Sequence, residues 1–348
     1  MGKVHQFING AKLLSHQELK RVSDAFLKML GQASGVCGVS AQKVENCRKC
    51  GADKIVKFGK DKNGKQRYKC KCCGATFTET SYSAISRTRF SEDIWETYIH
   101  LLLKGASLEE CAFQCGISVR TAFIWRHKIL NVLQKDQDNR VLAGIIEADE
   151  KYYSLSFKGN HAKSKRFVMP RESYRRGSDN RSNGMPKACV MCAVERNGQS
   201  YGEVLGASQS TIKMVAHAFE KRIAPDSIML SDRTKAMKSY FAKKSDIQLI
   251  QLKASAAGKK YGGAPEIRGI YHIQTVNNFH KRLDDFLRPY NGVATKYLNH
   301  YVGLYVWIEN HKKMEAELGD SLLKYIGEKS VYIPARSIFA RENIPSAA

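Results

Sequence analysis

Four cysteines are the residues most plainly spaced for chemistry. Cys47-Arg-Lys-Cys50-Gly51 and Cys70-Lys-Cys-Cys73-Gly74 are two CxxC pairs separated by residues 51–69, a spacing that suits a four-cysteine zinc site. Each pair can close a tight knuckle, and the glycine just after it permits the turn that brings both thiolates onto one ion. Four protein ligands leave no open position, so the Zn2+ expected here is structural. Cys72, between two ligands, points elsewhere. Free buried cysteines and an iron–sulfur centre are the alternatives, and paired glycine knuckles on a hairpin suit tetrahedral zinc better. Cys189 and Cys192 form a third CxxC inside an apolar β-like run, where the pair faces opposite sides of a sheet. They read as core, as do Cys111 and Cys115, one helical turn apart.

A second constellation is acidic. Asp149 ends the apolar run Ile145-Ile146-Glu147-Ala148, and Asp232 ends Ile228-Met229-Leu230-Ser231. Carboxylates at the carboxyl ends of neighbouring strands can converge on divalent ions, two of which would activate the attacking oxygen and stabilise the leaving oxygen of a phosphodiester. Either aspartate alone would read as a turn or helix cap. A third element, His272-Ile-Gln-Thr-Val-Asn-Asn-Phe-His-Lys-Arg-Leu, opens a basic helix.

The chain that carries these groups has 348 residues, 57 Lys and Arg against 33 Asp and Glu, and a formal charge of +24. Such a field favours a polyanion, because each neutralised phosphate releases counterions. Double-stranded DNA is the partner expected once binding motifs accompany the charge. With 43% hydrophobic residues there is ample material for buried cores. The N-terminus shows no secretory signal, no apolar run is long enough for a membrane span, and ten clustered cysteines do not make a disulfide scaffold. A reducing bacterial cytoplasm is the expected setting.

The elements that must position these groups fall into five stretches. Residues 1–43 hold one amphipathic helix, over about 15–30, and a linker. Residues 44–80 form a zinc ribbon whose hairpin turns at Asn63-Gly64. Residues 88–136 form a three-helix, helix-turn-helix unit, with a capping box at Ser107 and Glu110 and an N-cap at Ser118. On its third helix Arg120 and Thr121 would reach base edges, while Arg126 and Lys128 would meet phosphates. Trp125 fits core and contact equally well. From 140 to 312 three strands precede alternating helices and strands, which indicates an α/β domain with a mixed sheet. Residues 313–348 are a C-terminal tail. Residues 157–187 are an extended basic segment that includes Lys158, Lys163, Lys165, Arg166, Arg171, Arg175, Arg176 and Arg181. It reads as a solvated loop that tracks DNA phosphates if it lies near the active centre.

Taken in order, Glu147-Ala-Asp149-Glu-Lys-Tyr, Ser156-Phe-Lys-Gly-Asn160, Leu230-Ser-Asp232, Thr275-Val-Asn277-Asn-Phe-His and Gly292-Val-Ala-Thr-Lys-Tyr-Leu298 resemble a bacterial insertion-sequence transposase of the DDE class. The resemblance is to the group with an N-terminal zinc ribbon and a ribonuclease-H-like catalytic domain, and it spans roughly residues 45–310. It implies catalytic roles for Asp149, Asp232 and Asn277, with the aspartates binding Mg2+ or Mn2+ and Asn277 in the third position, where many members carry Glu. Asparagine offers a carbonyl oxygen without charge, so a second ion would be held more weakly or lean on DNA phosphate. A basic residue that the family often places two turns later falls on Asp284, and Lys281, one turn after Asn277, takes the DNA-contacting role. His272 matches a family histidine near the site or with a structural part, and Glu147 is expected to support the site from behind.

The resemblance implies a transposase that binds terminal repeats, cuts strands and transfers them, acting as a homodimer or larger assembly on two DNA ends. A transposase-derived DNA-binding regulator that has lost catalysis is the alternative, kept open by Asn277. A nuclease without strand transfer is a more distant one.

Overall fold

The computed structural model describes residues 44–61, 64–137, 140–159, 187–196, 198–207, 209–253, 266–312, 317–329 and 331–341. The chain divides between Glu45 and Asn46 into two units, and everything below concerns the second. The amphipathic helix expected over 15–30, Asn63 of the hairpin turn and most of the basic segment, including Lys163 to Arg181, lie outside the described residues.

The ribbon is a three-stranded antiparallel sheet of β1 (Ile55–Lys60), β2 (Gln66–Cys70) and β3 (Thr76–Phe77) in that order. Its turn is closed by Gly64 N donating to Asp61 O at 3.0 Å and Lys65 N to Asp61 Oδ1 at 2.9 Å. Three helices follow: α1 (Glu92–Leu103), α2 (Leu108–Cys115) and α3 (Val119–Asp136). The expected caps are present, Ser107 accepting from Glu110 N and Ser118 from Thr121 N, both at 3.1 Å. Gly116 ends α2 in the left-handed region, φ 61°, which a residue without Cβ adopts at no steric cost.

The larger sheet has five strands in the order β6-β5-β4-β7-β8. They are β4 (Ile145–Ser154), β5 (Lys187–Glu195), β6 (Ser200–Gly206), β7 (Ser227–Ser231) and β8 (Ile247–Gln251). The first three pair antiparallel, while β7 joins β4 and β8 in parallel. This is the mixed sheet of a ribonuclease-H-like domain. α4 (Ile212–Phe219) and α5 (Lys235–Phe241) cover one face, burying Phe219, Met237 and Phe241 against Ile146, Ala148 and Met191. α6 (Gln274–Leu287) and α7 (Thr295–His311) cover the other, with Val276, Phe279, Leu283, Val302 and Val306 against Val190, Cys192 and Val204. The approach of α7 to β6 depends on Gly202, since a Cβ there would lie 2.8 Å from Val302 Cγ1, closer than such contacts allow. Cys189 and Cys192 are buried on opposite faces of β5, and Cys111 and Cys115 are buried beneath α2.

Two expectations need correction. Asp149 does not end its strand: β4 continues to Ser154, held by β5 through Lys187. What ends near Asp149 is its other neighbour, because pairing with β7 stops at Ala148 opposite Ser231. The second concerns α3, which is no free recognition helix along its whole length. Trp125, Arg126, His127, Ile129, Leu130, Val132 and Leu133 are buried, and α3 packs along α7. Beyond residue 312, α8 (Leu318–Glu328) packs on α1 and α9 (Ala335–Phe339) on α3.

Candidate metal centres and nucleic-acid interface

The ribbon brings Cys47, Cys50, Cys70 and Cys73 together, with all four sulfurs within 4.8 Å of one another. Cys47 Sγ lies 3.7 Å from Cys73 Sγ, and Cys50 Sγ lies 3.7 Å from Cys70 Sγ. A tetrahedron with metal–sulfur bonds of about 2.3 Å has edges of about 3.8 Å, so the donor set fits zinc. In each knuckle a backbone N–H turns toward the first sulfur, Lys49 N to Cys47 at 3.4 Å and Cys72 N to Cys70 at 3.3 Å. Gly51 and Gly74 take positive φ, 78° and 69°. The Cys73 backbone N–H, joined by that of Cys72, lowers the Cys70 thiol, while Cys50, despite the backbone N–H of Ala52, is raised by Cys73 and by burial, so the protons are divided unevenly over one four-thiol set. Cys72 is exposed and outside the cluster.

The second centre lies where β7 runs out. Asp149 on β4 and Asp232, one residue past β7, bring their carboxylates within 4.8 Å of each other, and Glu150 is the third member of the group. Burial raises Asp149 from 3.8 to about 7, helped by the charges of Asp232 and Glu150. Burial also raises Asp232 and Glu150. Asp232 Oδ1 is buried with no hydrogen-bond partner among the described residues. An orphaned carboxylate oxygen beside two further carboxylates is costly without a cation and suited to a hard divalent one.

α6 crosses this centre and is fixed by Glu147. That carboxylate, fully buried, accepts from Thr275 N at 2.7 Å, Thr275 Oγ1 at 2.8 Å, Val276 N at 3.1 Å and Arg196 Nε at 2.7 Å. The residue before α6 supplies no side-chain cap, so a glutamate from the sheet satisfies the first-turn N–H groups and meets the positive end of the helix dipole. His272 sits behind it, Nδ1 3.4 Å from Glu147 Oε1.

Along α6, His280 is 6% exposed and presents Nδ1 3.8 Å from Asp149 Oδ2. Burial holds its imidazole down at about 4, so it is neutral near pH 7. Asp284, one turn further, accepts from Lys151 Nζ at 2.7 Å and Tyr153 OH at 2.8 Å. The cation at this level therefore comes from β4 rather than from α6. Asn277 lies one turn before His280 and nearly in phase with Asp284, on the side of α6 that meets β4, and it is exposed, as is Lys281.

Glu150, His280 and Lys151 have no role assigned by spacing or resemblance, although the structure brings them to the acids. Alternation along a strand sends Glu150 to the face opposite Asp149, which argues against it. His280 was legible only as Asn277 plus one helical turn, and Lys151 as Asp149 plus two on the same strand face.

The expected nucleic-acid contacts divide. Arg120 is exposed near the start of α3, its guanidinium 5.2 Å from the Phe339 ring. Lys158 is exposed, its Nζ 3.5 Å from the carbonyls of Tyr290 and Asn291. Lys128 is half-buried, with the Tyr332 ring 5.5 Å away. Arg126 is not at a surface: it is 2% exposed, donates from Nη2 to Ala106 O at 2.8 Å and lies over Tyr290. Arg126 is therefore not placed to meet a phosphate, since the long side chain spends its donors inside the helix junction. Trp125 is core, stacked on Trp95 with centroids 3.7 Å apart. On the ribbon, Phe58 is 45% exposed between Arg67 and Lys69. No described helix is long and apolar enough to cross a membrane.

No curated protein matches the chain. Among solved structures, the strand transfer complex of Mos1 is similar at 12% identity, covering 71% of this chain and 80% of that one, with a TM-score of 0.20. A pre-cleavage Mos1 transpososome is similar at 9% identity, 71% and 81% coverage and a TM-score of 0.18. Likeness at those scores bears no weight here. Residues 141–310, the segment that holds the five-stranded sheet, both aspartates and Asn277, match the ISXO2-like transposase domain, a domain of the DDE class.

Proposed function

We propose that the chain is the transposase of a bacterial insertion sequence, binding the terminal repeats of its element and catalysing divalent-metal-dependent strand cleavage and strand transfer. The observation that carries this reading is the meeting of Asp149 and Asp232 at the end of β7, inside a segment that matches a transposase domain. These aspartates hold Mg2+ or Mn2+, two ions once DNA phosphate completes the site. Asp149 and Asp232 would hold these ions, which would supply acidification of an attacking water or 3′-hydroxyl and compensation of charge on the leaving oxygen. Glu147 keeps α6 in place, and Asn277, on the side of α6 that meets β4, would contribute a neutral oxygen. The backbone N–H of Glu150 holds Asp149 Oδ1 at 2.9 Å, and His280 lies beside Oδ2.

The four cysteines hold one structural Zn2+ that stiffens the ribbon. The ribbon, with Phe58 between two cations, and the exposed start of α3 with Arg120 engage double-stranded DNA, while Lys158 and Lys281 follow phosphates nearer the acids. Acting on two ends at once calls for a homodimer or larger assembly on DNA, in the bacterial cytoplasm.

The neutral side chain at 277 favours a second reading, a regulator that binds DNA without cutting it. Strand transfer with pre-cut ends taken from the DNA flanking the gene separates the two. Transposase activity predicts joined products that need Mg2+ or Mn2+. Site-specific binding with no joining and no nicking would establish the regulator.

A further inference from the structure

Asn277 brings no charge, so on the reading proposed above the anionic ligands reduce to two aspartates unless another carboxylate is within reach. Glu150 is within reach for a topological reason. On β4, Ile146 and Ala148 face α4 and α5, whereas Glu147 and Asp149 face α6, and alternation puts Glu150 with the former. Beyond Ala148, however, β4 has lost its neighbour β7. Side chains from both faces can meet around that open edge, where Asp232 also lies, and one carboxylate oxygen from each of the three falls within 4.8 Å of the others. Ser210 Oγ holds Glu150 Oε1 at 2.5 Å, and Glu150 N donates to Asp149 Oδ1 at 2.9 Å.

One observation within the acidic grouping and one beside it point to a cation. Asp232 Oδ1 is buried and orphaned. His280, 6% exposed, turns Nδ1 toward Asp149, while its Nε2 has no partner among the described residues. At 3.8 Å, Nδ1 is beyond hydrogen-bond reach of Asp149 Oδ2, which leaves that oxygen open to a cation.

We infer that Glu150 is a third anionic ligand of the divalent-ion site, standing in for the acid that position 277 does not supply. The inference rests on the proposed function, since it concerns the same ions.

The test is Mn2+ binding to the full chain, followed by calorimetry or electron paramagnetic resonance without DNA, for wild type, Glu150→Gln and Asp149→Asn, with thermal midpoints measured in EDTA. Glu150→Gln should raise the Mn2+ dissociation constant at least about tenfold, as loss of a charged ligand demands. Its midpoint in EDTA should equal or exceed that of wild type, because one of three crowded charges is gone. Wild-type affinity in Glu150→Gln, with binding lost in Asp149→Asn, overturns the inference and leaves the proposed function standing. A midpoint in EDTA several degrees below wild type also overturns it, because Glu150 would then be a structural anchor for Ser210. No Mn2+ binding by wild type takes down the proposed function itself. Should Glu150→Gln not fold, Glu150→Asp withdraws the charge by one methylene: weakened binding supports the inference and unchanged binding refutes it.

Discussion

Glu147→Ala should unseat α6. The carboxylate accepts four hydrogen bonds, two from first-turn N–H groups of α6, one from Thr275 Oγ1 and one from Arg196, and it is fully buried. Alanine leaves Val276 N and the half-buried Arg196 guanidinium without their acceptor. Removing one partner of a buried ion pair costs about 3–5 kcal/mol, so a loss of about 4 kcal/mol is expected. Glu147→Gln keeps one acceptor oxygen but turns an NH2 group toward donors, and should cost about half as much. Thermal and urea unfolding of the zinc-loaded protein without added divalent ions measure this free of effects at the aspartates, and a fall in midpoint on the order of 10 °C corresponds to the alanine figure. Below the midpoint, cleavage should fall more than DNA binding, because the loosened helix carries Asn277 and His280 rather than the ribbon. A loss under about 1 kcal/mol for Glu147→Ala would refute the claim that a glutamate from the sheet caps this helix.

Metal analysis of protein purified without chelator should find one zinc per chain, and Cys50→Ser should abolish it; a metal-free ribbon with native fold would count against the site. Asp149, raised from 3.8 to about 7, gives a pH dependence of definite sign. In EDTA its protonated form favours the folded state, so this contribution to stability is full below about pH 4 and lost as pH rises through about 7. Mn2+ affinity should run the other way, climbing with pH up to about 7 and then levelling, because the ligand must lose its proton; calorimetry at pH 5.5, 6.5 and 7.5 checks it. Arg126→Ala should lower the thermal midpoint while leaving DNA affinity of the folded protein unchanged, whereas Arg120→Ala should weaken DNA binding, reduce its salt dependence and leave the midpoint near wild type.

What the sequence made legible was local chemistry whose partners lie close along the chain. The CxxC knuckles, the Ser107 and Ser118 caps and the strands around 145, 188 and 228 depend on spacing and side-chain type within a few residues, and all are present. The role of Glu150 escaped because alternation is a rule for a paired strand, and only the sheet order reveals that β4 is unpaired on one side past Ala148. Arg126 misled for a related reason. Its type announces phosphate, but the long packing of α3 on α7 is a tertiary fact, and an arginine can spend its donors on a buried carbonyl such as Ala106 O. The cap on α6 could not be foreseen from Ile273. It is supplied by Glu147, a strand residue remote in sequence, which the alternation of β4 placed only on the same face as Asp149.

The central claim is that Asp149 and Asp232 together hold the ions that cut DNA. Its most direct test is nicking of a duplex that carries the sequence flanking the gene, in Mn2+, by wild type, Asp149→Asn, Asp232→Asn and the double variant. The account expects nicking at a defined position by wild type that EDTA abolishes. Each single variant should lose at least about a thousandfold in rate while still binding the duplex, and the double variant should be no worse than either, as for groups that act as one unit. Nicking by the double variant at the wild-type rate would contradict it.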